Sequence, residues 1–76
     1  MLIRTATREI EVEVTGQRCF MPCDTHDEAS RLAAFCRERG HLTCHVPSAG
    51  DIGVLIHLGE ATLAQVRDVL IARDAL

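Results

Sequence analysis

The sequence predicts an α+β fold of order ββαββα, a four-stranded, mostly antiparallel sheet with two helices on one face. Three observations predict it. Residues 9–14, EIEVEV, alternate strictly; period two returns over residues 41–46 and 52–58; and an amphipathic stretch follows each pair of strands. Each helix offers one apolar stripe and each strand one apolar face, so one helical layer covers one side of the sheet and leaves the other open.

In the first strand Ile10, Val12 and Val14 share one face, and Glu9, Glu11 and Glu13 share the other. Thr15 and Gly16 supply a turn, Arg18 to Met21 return antiparallel, and Pro22 ends the ladder. A two-residue loop sets Val12 against Cys19 and Glu13 against Arg18, with Phe20 on the open face; a three-residue bulged loop flips the second strand and buries Phe20. The alternation leaves both registers open. Residues 2–7 read as an upstream extension of the first strand, with Arg4 and Arg8 breaking its apolar face.

Thr25 to Glu28 has the spacing of a capping box, the Thr accepting from an exposed backbone N–H and the Glu reaching back to the cap. Ala29, Leu32, Ala33 and Cys36 then follow the helical i, i+3, i+4, i+7 spacing, with Phe35 at the edge of that stripe. Arg37 and Arg39 suit the negative end of the helix dipole, and Gly40 is read as a left-handed stop.

Beyond it, Leu42, Cys44 and Val46 alternate with His41, Thr43 and His45; PSAGD at 47–51 forms a loop; and Ile52, Val54, Ile56 and Leu58 point inward from the last strand. Pairing Val46 with Ile52 places His41 across from His57. The second helix is read from about Glu60, after Gly59, to the end of the sequence, with Leu63, Val66, Val69, Leu70 and Leu76 as its apolar stripe.

Composition narrows the functional classes. A chain of 76 residues buries only about 60% of the surface exposed when unfolded, which is room for one core and a single domain over residues 1–76. Net charge is −3, all eight basic residues are Arg, and Trp and Tyr are absent, a poor match to the clustered basic surface and stacking rings of a nucleic-acid binder. The opening residues, MLIRTATREI, do not read as a targeting segment, and no stretch reaches the ~18 apolar residues of a membrane span, so the expected location is the cytoplasm. The four cysteines are then expected as reduced thiols.

Cys19, Cys23, Cys36, Cys44, His26, His41, His45 and His57 are the candidates for metal or nucleophilic chemistry. Cys19, Cys23 and His26, with Cys44, His41 or His45 as a fourth ligand, are the candidate zinc set, although C-x3-C-x2-H lacks the paired short knuckles of a zinc finger or ribbon. Small buried hydrophobes are the competing reading for the cysteines. Cys23, just ahead of a helix start that lowers a thiol pKa, has His26 three residues on, but no third orienting group or oxyanion-forming loop accompanies them. No catalytic residue and no cofactor are assigned. The stronger lead is the acidic stripe of Glu9, Glu11 and Glu13, extended by Asp24 and Asp27, which suits a basic groove on a larger protein.

In size, acidic balance, Arg-for-Lys usage and lack of a catalytic signature, the chain resembles the small anti-CRISPR proteins of phages and mobile elements, particularly inhibitors of type I systems. That resemblance implies a non-enzymatic inhibitor that occludes a surface of the effector complex. A Cys/His zinc or redox module, and a homo-oligomeric subunit such as a homodimer, are the alternatives.

Overall fold

The computed structural model describes residues 1–59 and 63–74. Along the chain run β1 (Leu2–Arg4), β2 (Glu9–Glu11), β3 (Glu13–Thr15), β4 (Arg18–Pro22), α1 (His26–Arg39), β5 (Thr43–His45), β6 (Gly53–His57) and α2 (Leu63–Asp74). The main sheet is wholly antiparallel in the order β3-β4-β6-β5, and β1 and β2 form a separate two-stranded ladder. The α+β class and the four-stranded sheet are as the sequence predicts.

Residues 2–4 do not extend the first strand. They fold back on it, with Ile3 opposite Ile10, because Thr5 and Arg8 close a tight turn: the Thr5 N–H and hydroxyl both donate to the Arg8 carbonyl. The alternating segment 9–14 is itself interrupted at Val12. Its N–H donates to the Met1 carbonyl at 2.8 Å, and its side chain is fully buried where the strand passes from one ladder to the other.

The β3–β4 hairpin takes neither register expected from the sequence. Its loop is Gly16-Gln17, one residue later, so Thr15 faces Arg18, Val14 faces Cys19 and Glu13 faces Phe20. Gly16 at φ +59° explains the choice, since a positive φ at the first central position is what a type II′ turn demands. A shift of two residues in pairing preserves the faces: Cys19 and Met21 are buried, and Phe20 stays on the open side.

Helix α1 starts as its capping residues dictate, with the Thr25 side chain accepting from the Glu28 N–H at 3.1 Å. The return bond of the capping box goes one residue further out: Glu28 accepts from the Asp24 N–H at 3.3 Å. At the other end Gly40 is not left-handed. Its φ is −95°, and His41 takes the positive value of +53°. Gly40 is needed for space instead, because a Cβ there would run into the Val69 side chain of α2.

The core lies between the sheet and the two helices. Cys19, Met21, Cys44, Val54 and Ile56 face Ala29, Leu32, Ala33 and Cys36 of α1 and Val66, Val69 and Leu70 of α2. Burying each larger aliphatic side chain is worth about 1.5–3 kcal/mol relative to solvent, so this layer carries most of the favourable energy. Leu63 is half-buried beside the core, whereas Glu60 and Leu76 lie outside the described residues.

The last hairpin is also shifted by two residues. Thr43, not His41, faces His57, and His45 faces Leu55. The Ile52 carbonyl accepts from the Cys23 N–H at 2.9 Å, on the side away from β5, and Pro47 has no N–H to offer a ladder, so pairing ends at His45.

Candidate functional site

The uncovered face of the sheet is built by alternation. Cys19, Cys44 and Ile56 point into the core, so Arg18 and Phe20 on β4, Thr43 and His45 on β5, Leu55 and His57 on β6, and Glu13 and Thr15 on β3 point away from it. This face is bipolar.

At one end Glu11, Glu13, Phe20, Pro22, Cys23, Gly50, Asp51 and Ile52 line an open depression of about 490 Å³. Phe20 is its aromatic wall, and among the described residues three carboxylates and no basic side chain border it. Glu11 and Glu13 of the expected acidic stripe therefore come together here. Glu9 does not line the depression and its carboxylate binds Arg4 at 3.1 Å, while Glu11, from the same strand, lines it with the N-terminal ammonium 3.4 Å from its carboxylate. Asp24 and Asp27 do not line the depression; Asp24 precedes the α1 cap and Asp27 pairs with Arg31 one helical turn on at 2.8 Å. Sequence reasoning missed Asp51, a polar residue in a loop whose fold over the first hairpin has no local signal.

At the other end Thr15, Gln17, Arg18, His57 and Gly59 line a second depression of about 440 Å³. His57 Nε2 lies 3.3 Å from His45 Nδ1, with the rings stacked at 5.3 Å between centroids. The histidine pair of this face is thus His45 with His57. His41 sits instead beside Phe35, Arg39 and Gln65 on the helical side.

The cysteines do not converge on a metal. Cys19 and Cys36 are wholly buried core residues, and the Cys44 thiol donates to the Ala33 carbonyl. Among the described residues no group of three or more His, Cys, Asp or Glu is placed to hold a metal ion. Cys23 is not activated as its position ahead of α1 suggested: burial and then the Glu28 carboxylate push its thiol up. Its S–H points to the Met21 carbonyl at 3.9 Å.

Among the described residues no helix is long and apolar enough to cross a membrane. Comparison with protein families, with curated proteins and with solved structures finds no match to this chain.

Proposed function

We propose that the chain is a non-enzymatic, cytoplasmic protein-interaction module, and that the acidic depression on its open sheet face receives a basic side chain of a larger protein partner. The observation that carries this reading is the placement of Glu11, Glu13 and Asp51 around Phe20. An arginine or lysine entering there meets carboxylates on the rim and an aromatic face, a contact worth about 0.5–1 kcal/mol when exposed and about 2 when desolvated. Surrounding charge adds steering and orientation more than raw affinity. Phe20 supplies the apolar anchor that a patch of carboxylates alone lacks.

Self-association through sheet edges has less in its favour, since edge strands β3 and β5 are only three residues long and offer few free backbone groups. The specific form of the interaction reading is inhibition of a type I CRISPR-Cas effector by occlusion of a basic groove. Expression of the chain in a host with an active type I system should then relieve restriction of a targeted phage. Glu13→Arg combined with Asp51→Arg should restore restriction while Glu9→Arg should not. Unchanged restriction across type I systems removes the effector reading. A partner captured from source cells that still binds the double variant removes the depression as the contact.

A further inference from the structure

Arg18 owes its position to the Gly16-Gln17 turn. Had Glu13 faced it, the two would have neutralised one another; instead Arg18 faces Thr15, and Glu13 is diagonal to it beside Phe20. Diagonal neighbours lie about 7–8 Å apart, and no ion pair forms between them. Among the described residues Arg18 is the one exposed arginine with no ion pair, hydrogen bond or ring contact. Arg4, Arg8, Arg31 and Arg67 hold carboxylates, Arg37 donates to the Cys44 carbonyl, Arg39 lies over the Phe35 ring, and Arg73 is half-buried near Cys23 and Leu70.

On the other side of β4, His57 is in register with Arg18, and His45 extends the same patch by its contact with His57. Thr15 and Gln17 add a hydroxyl and an amide to the same 440 Å³ depression, whose described lining contains no carboxylate. A guanidinium fork, an imidazole and two neutral donors round one hollow are the chemistry that receives an oxyanion, with Arg giving directed hydrogen bonds and charge together.

We infer that Arg18, His57, Thr15 and Gln17 form a binding site for a single oxyanion group, a carboxylate or a phosphoryl-type tetrahedral anion, with His45 as the proton partner of His57. The site is distinct from the acidic depression, and its existence does not depend on the partner proposed there. With neutral imidazoles Arg18 is the one full positive charge among the described residues that line the site. Protonation of either ring adds a cation next to the anion, so binding strengthens on acidification. Among the described residues the charged or titratable groups facing the site are Glu13 on β3, Arg18 on β4, His45 on β5 and His57 on β6.

The test is an NMR titration of the intact chain with sulfate, a dianion at every pH used, and separately with acetate, at matched ionic strength with chloride as the reference. Saturable shifts confined to Thr15, Gln17, Arg18 and His57, at least fivefold tighter at pH 5.5 than at 7.5, are expected. Arg18→Gln should weaken binding at least tenfold, and His57→Gln should flatten the pH dependence; both sites are on the surface face, and circular dichroism checks the fold. Stronger sulfate binding assigns a phosphoryl-type ligand, and equal or stronger acetate binding assigns a carboxylate. Shifts that chloride reproduces, or that persist in Arg18→Gln, overturn the inference. Loss of partner binding in Glu13→Arg with sulfate binding retained keeps this site apart from the interaction reading.

Discussion

The Phe20 ring lies across Gly53, so that a side chain begun at residue 53 would meet both the ring and the Met21 carbonyl. Glycine is disfavoured in a strand for lack of packing, and here the neighbouring aromatic ring supplies the missing cover. Gly53→Ala should destabilise the fold by about 1–3 kcal/mol, the usual range for forcing a methyl group into a filled site. Part of that cost belongs to the carbonyl, which cannot swing away. In a Phe20→Ala background the Gly53→Ala penalty should therefore shrink without vanishing, as read from urea midpoints. Complete loss of the penalty there would assign the whole effect to the ring.

Gly40 and His41 divide between them the roles expected of one glycine. Gly40 leaves room for Val69, and His41 takes the left-handed backbone while the Cys36 carbonyl accepts from both Gly40 and Leu42 at 3.1 Å. Left-handed backbone costs an L-residue about 1–2 kcal/mol, part of which a glycine at 41 recovers against its greater unfolded-state entropy. His41→Gly should hold or raise the melting temperature by about 2–5 °C, on a scale of about 4–8 °C per kcal/mol for a chain this size. Gly40→Ala should lower it. A reversed order of these two variants in calorimetry would mean that the helix end is built differently.

Faces were legible in the sequence and registers were not. Strict alternation puts Cys44, Val54 and Ile56 on the core side whatever their pairing, because a strand's inward face is a property of its own period, whereas the choice of Cys19 and Met21 over Phe20 waits on the turn. Register depends on which residue of TGQ turns the chain, and a two-residue slip keeps every side chain on its face. The slip nevertheless decides the site. It separates Glu13 from Arg18 and pairs Glu13 with Phe20, and in the second hairpin it exchanges His41 for His45 as the neighbour of His57. The fold-back of residues 2–4, which sets Arg4 against Glu9, rests on a turn at Thr5 to Arg8 that carries neither Gly nor Pro.

Asp74 ties the end of α2 to that turn. Its carboxylate accepts from the Thr7 hydroxyl at 2.6 Å and the Thr7 N–H at 3.1 Å and lies 3.6 Å from the Arg8 guanidinium. The neighbouring Thr5 hydroxyl and the hydrogen-bonding Thr7 side chain hold its pKa below the usual carboxylate value of 3.8, with Arg8 adding to them. A group whose folded pKa is depressed contributes stability above its unfolded pKa and loses it as pH falls through the folded one. Asp74→Asn should therefore be less stable than the parent at pH 7, and the difference should close as both are titrated below about pH 4. A gap that stays constant from pH 7 to pH 2 would show the loss to be steric rather than electrostatic.

The alkaline side is governed by the thiols alone. The chain has neither Lys nor Tyr, and arginine stays protonated throughout, so Cys19, Cys23, Cys36 and Cys44 are the side chains that titrate between about pH 9 and 12. All four are raised above the ordinary thiol value of 9.0, with burial the largest cause in each, and Cys36 is pushed up to about 12. In the unfolded chain these thiols release their protons near pH 9 while the folded chain keeps them. The unfolded state then binds fewer protons, and stability must fall as pH rises, by about 1.4 kcal/mol per pH unit for each thiol still held protonated. Denaturation monitored by circular dichroism should show a stability plateau up to about pH 8.5 and a decline above it. Cys36→Ala should reduce the slope by about one proton, whatever it does to the plateau. Thiolate absorbance should rise together with unfolding, with only the half-buried Cys23 able to ionise ahead of it. Full thiolate absorbance in a chain that remains folded at pH 10 would contradict the burial of Cys19, Cys36 and Cys44 in the core.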